Sequence, residues 1–137
     1  MSQIFFSAWD SQVTPQPLIT PMEPWVTDGT AAGTFMVKDT LPGTADGSPG
    51  GYTVSNGMLF FAAYDPNNAA QLWKSDGTTA GTVKVKDIAP GHVNTLTDVN
   101  GTLFFVASDA THGQELWKSD GTDAGTMMVK DLSLIHI

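Results

Sequence analysis

The chain has 137 residues, about the length of one ordinary domain. Its 14 acidic and 6 basic residues give a net charge of -8, which repels nucleic acid phosphates, so nucleic-acid binding is excluded as a function class. The absence of Cys excludes a disulfide framework and thiolate metal sites. The longest apolar run, Met58 to Ala63, is far shorter than the ~18 residues of a membrane span, so no membrane span is expected.

The first predicted strand contains Ile4-Phe5-Phe6, and the next surrounds Trp25 and ends at the Asp28-Gly29 turn. We expect this copy to lack an innermost strand. Two stretches of the first third have no counterpart later in the chain, residues 11–22 and 44–51. Because both are rich in Pro, Gly, Thr and Ser, they predict loops inserted into a repeated pattern. Plain flexible loops are the favoured interpretation, with binding places as the alternative, since non-repeating loops on a repeated scaffold often bind ligands.

Two Asn-Gly pairs, Asn56-Gly57 and Asn100-Gly101, predict two-residue hairpin turns because both residues tolerate a positive φ. The strand after each turn is apolar on both faces, which predicts a deeply buried strand. Four aromatic residues are therefore expected among the most buried: Phe60, Phe61, Phe104 and Phe105. Between the two hairpins, Thr82 to Asp87 alternates Val and Lys and predicts an outermost strand whose Lys side chains guard the sheet edge.

The same order of motifs occurs three times. Gln71 to Thr78 matches Glu115 to Thr122 at a step of 44 residues, and Trp25 to Thr30 is an earlier copy. Each copy continues through Ala-Gly-Thr into Val-Lys-Asp. A fixed period of this length is typical of propellers and solenoids. Four antiparallel strands per period predict an all-β partial β-propeller of about three four-stranded blades, with a β-sandwich as the alternative.

The copies also predict how the chain is divided. We expect residues 1–57 to form an incomplete first blade together with the inner strand of the second. Residues 58–101 are the second repeat unit and residues 102–131 a truncated third unit. Because a closed propeller needs about 4–8 blades, the three copies predict a piece of a longer protein. Residues 132–137, Leu-Ser-Leu-Ile-His-Ile, look like a translated sequencing adaptor and are predicted to be an artefactual tail.

The third copy, Glu115-Leu116-Trp117-Lys118-Ser119-Asp120-Gly121-Thr122, resembles the bacterial repeat named for its Glu-Leu-Trp-x-x-Asp-Gly-Thr motif. The resemblance extends through Ala124-Gly125-Thr126 and Val129-Lys130-Asp131, and with the other copies it covers nearly the whole chain. The first copy departs from it, with Pro24 where Leu is expected. The resemblance implies an exported or cell-surface bacterial protein of tandem repeats, and it attaches no catalytic residue to the motif.

Acidic residues recur at intervals of eleven, at Asp65, Asp76, Asp87, Asp98, Asp109, Asp120 and Asp131. In a strand meander this spacing places Asp65 and Asp87 near one rim, and Asp76 and Asp98 near the other. The structural interpretation is that these side chains accept hydrogen bonds from turn backbone. The alternative is that oxygen-rich turns such as Ser119 to Thr122 bind a hard cation such as calcium, although no twelve-residue calcium loop is present.

Three Trp residues share one phase of the repeat: Trp25, Trp73 and Trp117. This phase predicts packing between blades, with stacking against sugars as the alternative. Trp9 lies outside the phase and is the predicted exposed aromatic.

No catalytic motif is found. His92, His112 and His136 are isolated, and Glu23 and Glu115 occupy equivalent repeat positions rather than forming one pair. The sequence therefore predicts no catalytic, cofactor-binding or metal residue. It favours a non-catalytic structural or interaction module whose partners are neighbouring blades and protein or glycan ligands, and the family resemblance implies an extracellular or cell-surface location. The alternative is the propeller part of a secreted enzyme whose active site lies outside these residues.

Overall fold

The computed structural model describes residues 3–9, 22–42, 47–67 and 69–130, and these form three antiparallel β-sheets. No helix occurs in the described residues, and hence none that is long and apolar enough to cross a membrane. The prediction of an all-β chain is confirmed. Most of the predicted loop at 11–22, part of that at 44–51, Asp131 and the tail 132–137 lie outside the described residues.

Each sheet is a meander in which strands that follow one another in sequence pair with one another. The first sheet has the order β1 (Ile4–Trp9), β2 (Met22–Thr27), β3 (Phe35–Met36). The second sheet has the order β4 (Gly50–Ser55), β5 (Met58–Tyr64), β6 (Ala70–Ser75), β7 (Val83–Lys84). The third sheet has the order β8 (Pro90–Val99), β9 (Thr102–Asp109), β10 (Gly113–Ser119), β11 (Met127–Lys130).

Both Asn-Gly pairs form the predicted two-residue hairpins. Asn56 and Gly57 have φ values of 50° and 76°, and Asn100 and Gly101 have values of 52° and 84°. Positive φ at both central residues defines the turn whose twist matches that of paired strands. These turns join β4 to β5 and β8 to β9, which fixes the register of the two inner hairpins.

The predicted outer strand at residues 82–87 is shorter than expected, since only Val83–Lys84 pairs with β6. The chain leaves the sheet edge here because Val85 and Ile88 turn inward, where they are 6% and 2% exposed. Its Lys side chains form ion pairs instead of pointing freely into solvent at the sheet edge. Lys84 pairs with Asp65, and Lys86 pairs with Asp123 in the next copy.

The sheets stack on one another in one orientation. We call the side of each sheet that carries the motif Trp its front face, and the opposite side its back face. Phe61 and Trp73, on the front face of the second sheet, pack with Phe5 of the first sheet. Phe105 and Trp117, on the front face of the third sheet, pack with the back face of the second. Each front face therefore lies on the back face of the preceding sheet.

Equivalent residues at the two ends of the stack show which faces are uncovered. On the front faces, Ile4 of the first sheet is 67% exposed, whereas its counterpart Leu103 in the third sheet is fully buried. On the back faces, Val129 of the third sheet is 45% exposed, whereas Val37 of the first sheet is fully buried. The front face of the first sheet and the back face of the third, the two end faces, have no sheet over them among the described residues.

The end faces explain why one of the four Phe residues predicted to be buried is an exception. Phe60, Phe61 and Phe105 are 2%, 0% and 1% exposed, as expected. Phe104 is only half-buried. It lies on the back face of the third sheet, at the position that Phe60 occupies on the covered back face of the second. Its sequence neighbours are the same, so the difference comes from the covering sheet.

Phe60→Ala and Phe104→Ala form a matched pair that tests this stacking. Phe60→Ala should lower the free energy of unfolding by about 3–5 kcal/mol, the usual result of truncating a fully buried Phe. Phe104→Ala should cost roughly half as much, because its ring already contacts solvent. Chemical denaturation of the two variants measures both values, and equal losses would contradict the assignment of covered and uncovered faces.

Candidate functional site

The motif Asp-Gly-Thr forms a turn that is held by its own side chains. In the second copy, Asp76 Oδ1 accepts hydrogen bonds from Thr78 N at 2.9 Å and from Thr78 Oγ1 at 2.6 Å. Thr78 Oγ1 in turn accepts from Gly81 N at 2.9 Å. The hydroxyls of Ser75 and Thr82 lie 2.7 Å apart and close the base of the turn. The first and third copies repeat the bonds to the carboxylate at Asp28 and Asp120.

The carboxylate explains the Gly of the Ala-Gly-Thr motif. A Cβ atom placed on Gly81 would lie 2.0 Å from Asp76 Oδ1, and the same distance separates Gly33 from Asp28 and Gly125 from Asp120. Real Cβ contacts are never so short, so any side chain at this position displaces the carboxylate. The two motifs are therefore the two halves of one packed turn.

The turns also make contacts between sheets. Lys74 Nζ, on the back face of the second sheet, donates to the carbonyl of Gly121 in the third copy at 2.6 Å. Lys86 Nζ lies 2.8 Å from Asp123 Oδ1 in the same turn. The turn of the third copy is thus seated on the second sheet, and its Gly121 has a φ of 93°. Such a φ strains any residue with a side chain.

Hydrogen bonding stabilises the ionised form of the turn carboxylates. The Thr hydroxyl and amide two residues on lower the pKa of Asp28, Asp76 and Asp120 below its ordinary value of 3.8. These bonds from the turn backbone are the ones that the structural interpretation of the Asp residues predicts. In the described part of the chain, no group of three or more His, Asp or Glu side chains is arranged to hold a metal ion. Calcium binding by these turns stays a prediction that the structure does not test.

Asp65 occupies the opposite rim and is nearly fully buried. Its Oδ1 accepts from Asn67 N at 3.0 Å, and its Oδ2 lies 2.8 Å from Lys84 Nζ, which also contacts Asp87. Burial raises the pKa of Asp65, but the hydrogen bonds from Lys84 and from two backbone amides outweigh it and lower the pKa overall. As the spacing predicted, Asp65 and Asp87 lie on one rim.

The third copy holds the equivalent carboxylate differently. Met128 stands where the second copy has Lys84, and the counterpart of Asp65 is Asp109. There His112 Nδ1 lies 2.6 Å from Asp109 Oδ2, and His112 N donates to Oδ1 at 2.7 Å. Desolvation raises the pKa of Asp109, while the bonds from His112 and Thr111 lower it by more. His112, which looked isolated in the sequence, is a hydrogen-bond partner of this acid.

The motif Glu position anchors the segment that leaves the first sheet and the segment that leaves the second. Glu23 and Glu115 are both 1% exposed. Glu23 Oε2 accepts from Thr40 N at 2.8 Å and from Thr40 Oγ1 at 2.9 Å. The second copy has Gln71 here, and its amide accepts from Ile88 N at 2.9 Å and donates to Ile88 O. In the first two copies the side chain at this position is therefore a buried anchor that solvent does not reach.

Two of the three motif Trp residues lie between sheets rather than on an accessible surface. Trp73 and Trp117 are each 7% exposed, and Trp73 Nε1 donates to the carbonyl of Ala63 at 3.2 Å. Trp25 is half-buried because it lies on an end face. Trp9 is 65% exposed, as predicted.

A cleft of about 360 Å³ opens between the inner strands β4 and β8 and is a candidate binding site. Ser55 Oγ of β4 donates to Asp98 Oδ1 of β8 at 2.7 Å and fixes one end of the strand pair. The cleft is lined by Ser48, Gly50, Gly51, Ala62, Ala63, Tyr64, Ala70, Val93, Asn94, Thr95 and Leu96.

Sequence reasoning singled out only part of the cleft lining. Ser48, Gly50 and Gly51 belong to the second predicted inserted loop, for which a plain flexible loop was favoured over a binding place. It missed Tyr64, Asn94 and Thr95, because they sit in regular repeat positions. The available signal was variation between copies, since Thr95 stands where the second sheet has Gly51.

Gly81→Ala tests the packed turn. The new methyl group must displace the Asp76 carboxylate, so the variant should lose about 1–3 kcal/mol of unfolding free energy, the usual cost of overpacking. In an Asp76→Ala background the same substitution should cost less, because the obstructing group is gone. Denaturant titration of the four proteins gives this comparison. Equal cost in both backgrounds would show that the carboxylate does not occupy the space above Gly81.

Lys84→Met, which copies the third sheet, tests the ion pair at the buried acid. It should cost about 1.5–3 kcal/mol near neutral pH, the usual worth of a hydrogen bond to a charged group. Lys86→Met is the control and should cost about 1 kcal/mol or less, because Asp123 is 73% exposed.

Since the pKa of Asp65 is lowered, its stabilisation is present above 3.8 and is lost as pH falls through the native pKa. The cost of Lys84→Met should therefore shrink in acid, and a cost independent of pH would exclude the ion pair as its cause.

No family model, no curated protein and no solved structure matches the chain. The resemblance to the Glu-Leu-Trp-x-x-Asp-Gly-Thr repeat stays a prediction. Function is accordingly argued from the geometry of the three sheets, their turns and the inner cleft.

Proposed function

We propose that the chain is a non-catalytic structural or interaction module made of consecutive β-propeller blades, in an exported or cell-surface bacterial repeat protein. The units are those of the sequence, residues 1–57, 58–101 and 102–131, with each four-stranded sheet taking its inner strand from the end of the preceding unit. The observation that carries the proposal is the repeated packing of a front face on the preceding back face through equivalent residues.

The second sheet favours a propeller over a β-sandwich. In a sandwich, two sheets share one core and each buries one face. Here Phe61 is buried on the front face of the second sheet by the first sheet, and Phe60 is buried on its back face by the third. A sheet covered on both faces by its neighbours in sequence is the arrangement of an interior propeller blade.

The acids of the repeat support a non-catalytic role. Glu23 and the turn carboxylates accept bonds from backbone and hydroxyl groups of their own copy. Asp65 and Asp109 are paired with Lys84 and His112. In each case the acid stabilises a turn, a strand end or a crossing segment. The alternative, a propeller part of a secreted enzyme, places the reacting groups outside these residues.

The two end faces are suited to binding further blades. They expose Ile4 and Val129 at positions that are buried elsewhere in the stack. Each exposed face has the shape and composition of a face that already packs against another sheet in this chain. Further blades of the same kind suit both end faces, and the inner cleft is left for a protein or glycan ligand.

Sedimentation of the 137-residue chain tests the proposal. With both end faces in water, the chain should self-associate, because sheet faces that complement each other are available on every copy. Ile4→Lys and Val129→Lys should each shift the chain toward the monomer. Val54→Lys is the matched control, since Val54 is 64% exposed but lies on the second sheet.

Two outcomes would contradict this prediction. A wild-type chain that is monomeric and unfolds cooperatively would show that the end faces need no partner. An equal effect of Val54→Lys would show that association depends on total exposed apolar surface rather than on the end faces.

A further inference from the structure

The inner cleft carries an inference that rests on the proposed interaction function and names its ligand class. None of its lining residues is charged, although the chain contains 14 acidic and 6 basic residues. A site for a charged ligand places an opposite charge in or near the pocket. The cleft therefore suits an electrically neutral ligand.

The walls combine one aromatic ring with small residues. The Tyr64 side chain is 38% exposed at the cleft, and Ala62, Ala63 and Ala70 leave space beside it. An aromatic ring with a polar tip presents an apolar surface for C–H groups together with a hydroxyl for hydrogen bonding. At about 360 Å³ the cleft is at the small end of ligand pockets, which span roughly 300–1,000 Å³, and suits about one or two sugar rings.

Thr95 adds a feature that packing does not require. It has a φ of 56°, which is strained for a β-branched residue. The equivalent position of the second sheet is Gly51, which adopts a φ of 70° without a side chain. The backbone of the inner strand thus needs a positive φ at this position in both sheets, and only the third sheet places a hydroxyl there. Strained side chains that line a pocket are frequently functional.

The hydroxyl of Thr95 belongs to a short hydrogen-bonded chain. Thr95 Oγ1 donates to Asn94 Oδ1 at 2.7 Å, and Asn94 Nδ2 donates to the carbonyl of His92 at 3.0 Å. With its proton committed to Asn94, the Thr95 oxygen presents its lone pairs as an acceptor. Ligand hydroxyl groups are the complementary donors.

The strands that frame the cleft are poorly suited to an extended peptide. Addition of a peptide strand requires a regular edge with evenly placed N–H and C=O groups. Both inner strands lie at sheet edges, but β4 has a register shift between Gly50 and Thr53, and β8 has shifts on both sides of Asn94. Bulges of this kind interrupt the pairing of an edge strand.

From these observations we propose that the cleft between β4 and β8 is a binding site for neutral carbohydrate. The sugar ring stacks on Tyr64, and its hydroxyl groups donate to Thr95. Acidic saccharides bind less well, because the chain carries a net charge of -8.

Titration calorimetry and saturation-transfer NMR on the full chain test this site. The probes are maltotriose, cellotriose and chitotriose as neutral trisaccharides, trigalacturonate as an acidic one, and a neutral extended hexapeptide. At least one neutral trisaccharide should bind, with trigalacturonate and the peptide weaker by about tenfold or more. Tyr64→Ala should weaken neutral-sugar binding about tenfold or more. Trp9→Ala is the matched control at the equivalent strand position of the first sheet, where the ring is 65% exposed, and should leave affinity unchanged.

Thr95→Gly separates ligand binding from folding. It should weaken sugar binding by about fivefold or more and at the same time raise the thermal midpoint by a few degrees, because glycine relieves the strained φ. This variant keeps the test decisive if Tyr64→Ala fails to fold. Absence of binding by every neutral trisaccharide, equal loss in Trp9→Ala, or tighter binding of the peptide would each overturn the proposal. None of these results alters the sedimentation behaviour expected from the end faces, so the two proposals fail independently.

Discussion

Stacking of β-sheets in one orientation is the constraint on which the rest of this structure depends. A four-stranded meander has two faces, and neither is stable in water when both carry Phe, Leu and Val. In the second sheet Phe60, Phe61 and Leu72 are almost fully buried, each contributing about 1.5–3 kcal/mol. That stabilisation exists only because the first and third sheets cover the two faces. The isolated repeat unit has no core of its own, which is the general property of repeat proteins.

The conserved chemistry within each copy serves this stack. In every copy the Asp-Gly-Thr turn brings its carboxylate onto the Gly of Ala-Gly-Thr, and in the third copy Gly121 also presents its carbonyl to Lys74 of the preceding sheet. On the opposite rim, the buried Asp65 of the second copy is paired with Lys84, and the partly buried Asp109 of the third copy is hydrogen-bonded to His112. Different side chains satisfy the same requirement, because a carboxylate removed from water is costly unless it is hydrogen-bonded. A residue that bonds to the Asp can therefore differ between copies when another position supplies an equivalent partner.

We propose that ligand binding depends on positions where the copies differ and where packing does not explain the difference. Most differences are compensated, as Gln71 is compensated by two bonds to Ile88 where Glu23 uses Thr40. Thr95 has no such compensation, because Gly51 adopts the same backbone conformation without strain. It lies beside Tyr64 in a cleft with uncharged walls, at the inner edge where two sheets meet. The scaffold thus provides the geometry of the cleft, and in our proposal a small number of non-repeating side chains determine its ligand.

The sequence by itself determined the strands, the two Asn-Gly hairpins, the position of the motif turns and the pairing of rims, because these depend on neighbours within about ten residues. It also predicted that Trp73 and Trp117 are buried, since a large apolar residue at one phase of a repeat must face another copy. The sequence did not decide which sheet faces are covered by a neighbouring sheet. Phe60 and Phe104 have nearly the same local sequence, yet one is buried and the other half-exposed. Three further features arise only in the tertiary structure: the hydrogen bonds of Glu23 to Thr40, the cleft between β4 and β8, and the strain at Thr95. They depend on contacts between segments that local periodicity does not bring together.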